Sequence, residues 1–327
     1  MNAIEVAGLT KVFRTQKKRP GFSGVVRAFL KPEYTETRAV DDVSFSIAEG
    51  ELVGFLGPNG AGKTTTLKML SGILYPSSGE ARVLGFTPWE RKDEYRRRFA
   101  LVLGQKNQLW WDLPAQESFA LNREIYGVPA EDYRRTLDEM TSLLSVKHLL
   151  GVMVRELSLG ERMKMELIAA LLHRPRVLLL DEPTIGLDVV AQKNIREFIR
   201  DYNRRTKTTV LLTSHYMNDI QSLCERVLII NRGRKAFDGE LSDVVERFSE
   251  TKRITVTFED DAPREALAAY GEVVEYEPHR AVLRVGRDGI AKASGELLAR
   301  FRVDDINIEE VPIEEVIERA FSSGEKL

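Results

Sequence analysis

Residues 51–70 read ELVGFLGPNGAGKTTTLKML, and the order of residue types in this stretch decides the fold. The apolar run VGFLG fits a short buried strand, and TTTLKML has the spacing of a helix. Between them, GPNGAGKT at 57–64 fits G-x-x-x-x-G-K-[ST] in the strand–loop–helix setting that gives the pattern its meaning. Gly57, Gly60 and Gly62, spaced by Pro58, Asn59 and Ala61, let backbone N–H groups turn inward on phosphates with no Cβ in the way. Lys63 supplies a point charge for the β- and γ-phosphates. Thr64 supplies a hydroxyl for Mg²⁺, and Thr65 completes the loop. The stretch predicts an α/β fold that binds a nucleotide.

Further along, VLLLDEPT (177–184) puts Asp181 and Glu182 at the end of a buried strand. Acids there are costly unless they meet a cation, and a bound Mg²⁺ supplies one. Asp181 then orients the metal shell and Glu182 polarises the attacking water as general base. The competing reading is an acidic N-cap for the next helix. RVLLLD, TTVLLTS and RVLIINRG are near-continuous apolar runs, as a parallel sheet covered on both faces requires. Ahead of the first of them stands ELSLGER (156–162). Ser158 followed three residues later by Glu161 fits a capping box. The same helix N-terminus, with Gly160 beside it, also suits an anion.

The chain has 327 residues, 43% hydrophobic and 30% charged, enough for two domains and an ordinary core. We expect a domain over 1–245, with an insert at 14–37 and a helical subdomain over 106–160, and a C-terminal domain over 250–327. The latter alternates strands (RITVTF, GEVVEYE, AVLRVG, INIEEV) with helices near 262–270 and 288–301, and closes on a helix, PIEEVIERAF. A net charge of −2 gives no basic footprint, so nucleic acid is not an expected partner. One cysteine, Cys224, excludes an internal disulfide, and four scattered histidines argue against a Cys/His metal cluster. No apolar run is long enough to span a bilayer, and MNAIEVAGLT lacks the apolar core of a signal peptide. These features predict a cytoplasmic location.

Three stretches stand outside the motifs. The basic run Arg91, Lys92, Arg96, Arg97 and Arg98 reads as a solvated helix face leading into a strand, FALVLG. In the insert, Phe22, Val25, Val26, Phe29 and Leu30 fall on one helical face, with Lys17, Lys18, Arg19, Arg27 and Lys31 around them. That face suits either a membrane interface or packing against the chain's own domain. Trp110 and Trp111, in QKNQLWWDLP (105–114), suit either a partner surface or a subdomain core.

Taken in order, the motifs resemble those of the ATP-binding subunits of ABC transporters, over residues 3 to about 245. The resemblance implies a P-loop NTPase (ABC ATPase) core with an antiparallel β subdomain and a helical subdomain, plus a small C-terminal α+β domain. It implies ATP and Mg²⁺ as cofactors. Residues 57–64 resemble Walker A and 177–182 Walker B. Gln105 stands at the Q-loop position, IGLD (185–188) matches the D-loop with Asp188, and His215 matches the switch histidine. On this resemblance Lys63, Gln105, Glu182 and His215 serve hydrolysis, while Thr64, Gln105 and Asp181 serve the metal. Ser158 and Gly160 match the signature turn, which in this family binds the γ-phosphate of ATP held by the opposite subunit. The usual Leu-Ser-Gly-Gly-Gln is altered here by Leu159 and Glu161. The family stacks an aromatic on adenine soon after the first strand; Phe13 fits that position, and Tyr34 is its rival.

LSLGER…ELIAALLHRP…DEPTIGLD is similar to the branch that serves separate ABC-2-type exporter permeases. The implied partners are a second ATPase subunit, in a homodimer, and integral membrane permease subunits. The implied location is peripheral, on the inner face of the cell membrane. The alternative is a soluble ABC-type ATPase acting on nucleic acid or ribosomes. Against it, 64–157 has no sustained heptads and the chain has one ATPase unit.

Overall fold

The computed structural model describes residues 1–16, 34–104, 106–214, 216–248, 251–311 and 315. Gln105, His215, the amphipathic stretch of the insert and most of the closing helix lie outside them. The chain forms two compact units, 1–239 and 240–327.

In the first unit the elements run β1 (Asn2–Gln16), β2 (Tyr34–Ala48), β3 (Leu52–Leu56), α1 (Lys63–Leu70), β4 (Ser78–Val83), α2 (Asp93–Arg96), β5 (Phe99–Leu103) and α3 (Ala115–Tyr126). They continue with α4 (Ala130–Leu143), α5 (Leu159–Leu171), β6 (Val177–Asp181), α6 (Val189–Thr206), β7 (Thr209–Thr213), α7 (Met217–Leu223), β8 (Arg226–Asn231) and β9 (Arg234–Glu240). Six strands form one sheet in the order β5-β6-β7-β3-β8-β9. Its inner pairings are parallel, and every residue of β6 and β7 is buried. That is why both read as unbroken apolar runs.

Register positions the site. Leu103 of β5 pairs with Asp181 of β6, which pairs with Thr213 of β7, so three strands end level. The phosphate loop leaves β3 at the same carboxyl edge, where open α/β sheets bind their ligands.

A second, antiparallel sheet has the order β2-β1-β4. Ile4, Leu9, Val43 and Ile47 of that sheet share a core with Phe55, Leu67, Met69 and Leu70. β4 was not expected from its sequence. SGEARV buries only Ala81 and Val83, and it becomes a strand because β1 offers a ladder at Ile4–Ala7. The basic run is exposed, as expected, but it is not one helix face. α2 is four residues long, Arg91 adopts a left-handed conformation, and its guanidinium donates to the carbonyls of Gly72 and Ile73. α3 and α4 are separated at Gly127, whose φ of 64° no other residue type adopts as cheaply.

In the second unit, α8 (Leu241–Phe248) precedes β10 (Thr251–Phe258), α9 (Arg264–Leu267), β11 (Glu272–Glu277), β12 (Arg280–Gly286), α10 (Ile290–Arg300) and β13 (Val303–Glu310). From β10 onward this is a βαββαβ unit with an antiparallel sheet ordered β11-β12-β10-β13. Alternation sets its core: Ile254, Val256 and Phe258 join Ala281, Leu283 and Val285 beneath Leu267, Ala293 and Leu297.

Candidate nucleotide site

The loop between β3 and α1 is held open by its backbone. Ala61 N–H donates to Pro58 O at 3.1 Å, and Thr66 N–H to Gly62 O at 2.9 Å. Gly62 has φ 107°, and a Cβ there would stand 2.3 Å from Ala39 O, so only glycine fits. Lys63 Nζ donates to the carbonyls of Gly57 (2.6 Å) and Pro58 (3.2 Å), which folds the ammonium back over the loop. Burial pulls its pKa below the ordinary lysine value, while Glu182 and Asp181 push it up. The result is a buried cation with carboxylates nearby, ready to exchange carbonyl partners for phosphate oxygens.

Across the sheet edge, Thr64 Oγ1 donates to Asp181 Oδ1 at 3.1 Å, and Thr213 Oγ1 donates to the same oxygen at 2.8 Å. Glu182 is buried and left-handed at φ 56°, a costly conformation for a residue with a Cβ. Its N–H is held by Thr213 O (3.1 Å) and Thr213 Oγ1 (3.0 Å). Gly104 completes the fit, because a Cβ there would lie 2.0 Å from Glu182 O. Thr64, Lys68, Leu103, Lys106, Asp181 and Glu182 line a cavity of about 180 Å³. An alcohol and a carboxylate facing one another are hard oxygen donors of the kind Mg²⁺ takes alongside phosphate. Asp181 and Glu182 do not cap α6; Asp188 does, accepting from Ala191 N–H at 2.9 Å.

Ser158 caps α5. Its hydroxyl donates to Glu161 Oε2 at 2.7 Å, and Glu161 Oε2 also accepts Ser158 N–H at 2.9 Å. The capping box read from the sequence is therefore formed within the chain. Leu159, unusual at its position, lies against Gly186, where an added Cβ would stand 3.1 Å from its Cδ2. Gly160 faces Ala191, where an added Cβ would come within 3.0 Å. The turn and the start of α6 thus form one surface.

Phe13 and Tyr34 belong to the same β1–β2 ladder. Phe13 pairs with Thr37 and Tyr34 with Gln16, three rungs apart, so they point to opposite faces. Lys11 Nζ lies 5.4 Å from the Phe13 ring centroid. Trp110 and Trp111 are 49% and 44% exposed, so they are surface residues and not a subdomain core.

The sequence reading missed Asp219. It is wholly buried on α7 and accepts from Arg196 Nη1 at 2.9 Å, Ser214 Oγ at 2.5 Å and the Thr184 hydroxyl. It ties the turn after Glu182 to the end of β7, one residue before His215. An acid between Met217 and Ile220, both buried, was the available signal.

A phosphate loop and a paired carboxylate edge on this sheet define a nucleotide-hydrolysing cassette. Residues 40–185 match the family described as ABC transporter, and residues 250–309 match the C-terminal domain of EvrA-like ABC transporters. The chain is 35% identical to the ABC transporter ATP-binding protein NatA of Bacillus subtilis over 209 residues, 64% of this chain and 85% of that protein. It is 38% identical to the Nod factor export ATP-binding protein I of Paraburkholderia xenovorans over 216 residues, 66% of this chain and 70% of that one. It is 29% identical to the linearmycin resistance ATP-binding protein LnrL of Bacillus subtilis over 297 residues, 89% of this chain and 95% of that one. Among solved structures, an ATP-binding subunit of an ABC transporter superposes with a TM-score of 0.62 at 26% identity, covering 75% of this chain and 93% of that one. A dimeric post-hydrolysis ATP-binding cassette with ADP and Pi shares the fold, with a TM-score of 0.60 at 22% identity, covering 73% and 98%.

The chain belongs to the ABC transporter ATP-binding family. It is an ATPase subunit of such a transporter, and the reading as a nucleic-acid or ribosome ATPase is set aside. Membership implies a membrane permease partner. Among the described residues no helix is long and apolar enough to cross a membrane.

Proposed function

We propose that the chain energises an exporter: two copies close on two ATP molecules and drive a separate integral membrane permease. It would then sit on the inner face of the cell membrane through that permease. The catalytic half of this reading rests on one observation, the convergence of Lys63, Thr64, Asp181 and Glu182 on one edge of the sheet. The export half is supported by likeness to proteins named for Nod factor export and linearmycin resistance.

In this mechanism the backbone of Gly57–Thr65 cradles the phosphates and Lys63 Nζ turns from the Gly57 and Pro58 carbonyls to them. Thr64, Asp181 and Gln105 would hold Mg²⁺, which would supply neutralising charge at the phosphate oxygens. Glu182 takes a proton from the attacking water, and Gln105 and His215 are the further residues assigned to hydrolysis. Ser158, Gly160 and Asp188 complete the partner's site, and Phe13 stacks on adenine. The ATPase domain occupies 1–245 and the accessory domain 250–327.

The test is reconstitution of the chain with its membrane permease partner, in inverted vesicles. ATP-dependent cargo accumulation that is lost with Glu182→Gln is the expected result. Cargo leaving the vesicle lumen on ATP addition would reverse the direction. With the same complex, Trp110→Ala and Trp111→Ala should leave basal ATPase intact and uncouple transport.

A further inference from the structure

Glu166 lies two turns along α5 from the Ser158 cap, about 12 Å away at 1.5 Å per residue. It is 3% exposed, in a stretch of α5 that is buried all round, with Met165, Leu167, Ile168 and Ala169 beside it. An ionised side chain in such a place costs several kcal/mol unless its bonds compensate. Its bonds are specific. Oε1 accepts the backbone N–H of Gln108 at 2.8 Å and of Leu109 at 3.3 Å, while Oε2 has no hydrogen-bond partner among the described residues.

Those two amides begin a short irregular segment that would otherwise bury unpaired donors. Its remaining ties hold it to several elements, and the Gln108 side chain donates from Nε2 to Leu101 O of β5 at 3.0 Å. Trp110 N–H donates to Ser118 Oγ at 3.1 Å, and Trp111 O accepts from Arg155 N–H at 3.1 Å. The Arg162 guanidinium, one turn before Glu166, lies 5.6 Å from the Trp111 ring centroid. Residues 108–111 are thus held at every position, and α5 supplies the holds at 108, 109 and 111. The segment starts three residues after Gln105 and carries the exposed tryptophan pair.

We propose that Glu166 is a positioning residue: its buried carboxylate locks the segment Gln108–Trp111 onto the helix capped by Ser158, so that the tryptophan surface and the anion-binding turn move as one body. This rests on the reading of that turn as a nucleotide contact. Closure on ATP at Ser158 would be felt at Trp110 and Trp111, and a partner pressing on the tryptophans would be felt at Ser158.

The test uses the full chain with Trp89→Phe, so that emission reports only Trp110 and Trp111. Glu166→Gln keeps a carbonyl acceptor for both amides, and Glu166→Met keeps volume but offers none. In the parent and in Glu166→Gln, we expect slow exchange at the Gln108 and Leu109 amides and an ATP-dependent change in tryptophan emission. In Glu166→Met, exchange at those amides should rise about tenfold or more. The emission response should vanish and kcat should fall, with KM for ATP within about twofold of the parent. A folded Glu166→Met with parental exchange and parental emission response overturns the proposal. So does fast, loop-like exchange of both amides in the parent, a result that needs no variant and stands if Glu166→Met does not fold. Failure of the docking reading looks different: Trp110→Ala would leave transport intact while the exchange and emission results hold.

Discussion

The hydroxyl of Ser158 is bound to Glu161 Oε2 at 2.7 Å, so the serine at the signature position is held by an acid of its own helix. Glutamine is usual at 161 in this family, and the acid brings a negative charge to a turn that would accept a phosphate. Two effects oppose one another. The carboxylate stabilises the helix N-terminus by about 0.3–1 kcal/mol, and it repels an incoming anion. Glu161→Gln should therefore be slightly less stable yet dimerise at an ATP concentration lower by about threefold. Sedimentation over an ATP titration measures this, and an unchanged or higher midpoint sinks it.

The same pair sets a pH dependence. The Ser158 hydroxyl and N–H hold the Glu161 carboxyl below its ordinary value of 4.5. A depressed acid contributes stability that is present above that value and lost as pH falls through its lowered one. The stability difference between the parent and Glu161→Gln should be constant from pH 6 to 8 and shrink in acid below about 4.5. Thermal unfolding of both chains across this range checks the sign; a gap that widens in acid would contradict the bond.

Glu182 reaches its place through a strained backbone pinned by Thr213 and packed against Gly104. Glu182→Gln keeps that shape and removes the base. Turnover should fall by about 10²–10⁴-fold with ATP binding retained, and a closed dimer should accumulate. Lys63→Ala should instead fail at binding, losing the roughly 2.7 kcal/mol by which ligand at 100 times its Kd stabilises a fold. Turnover of Glu182→Gln within a few-fold of the parent would remove it from the base role.

Asp219 joins the turn after Glu182 to the end of β7 through Thr184 and Ser214, and pairs with the largely buried Arg196. Asp219→Ala leaves Arg196 unpaired and should cost about 3–5 kcal/mol. Asp219→Asn keeps an acceptor and should fold. Its kcat should drop by about tenfold or more with KM for ATP little changed, because its weakened bonds affect position and not nucleotide contact. Parental kcat in a folded Asp219→Asn would make the network merely structural.

The contrast between these residues explains what was legible in the sequence. Asp181 was visible because a strand buried on both faces must be apolar throughout, so an acid at its end stands out. The phosphate loop was visible because two of its glycines, Gly57 and Gly62, sit where a Cβ would strike backbone. β4 was not visible, because SGEARV owes its strand to the β1 ladder and not to its own pattern. Glu166 and Asp219 were hidden because what makes each useful lies far away in sequence, at Gln108 and Leu109 or at Thr184 and Arg196. The trace each left was an acid next to apolar residues in a helical stretch. The tryptophan pair was ambiguous because exposed and buried aromatics look alike until a fold assigns their side.

The signature turn supplies the sharpest test of assembly. If Ser158 and Gly160 hold the partner's ATP, each active site takes Walker A, Walker B and His215 from one chain and the signature from the other. Within one chain, Leu159 and Gly160 pack against Gly186 and Ala191, so the turn and the start of α6 form one surface for a neighbour. Ser158→Arg fills that surface with bulk and charge yet leaves Walker A of its own chain open. Lys63→Ala does the reverse. In a mixed dimer of the two, one site carries both lesions and the other carries neither. With random mixing half the dimers are mixed, so independent sites should recover about a quarter of the parental ATPase rate, well above either mutant alone. A signature acting within its own chain damages both sites of every mixed dimer and recovers nothing. Equimolar mixing, with dimer formation followed separately by sedimentation, separates the two. If mixed dimers form and no activity returns above the single mutants, the composite site is wrong.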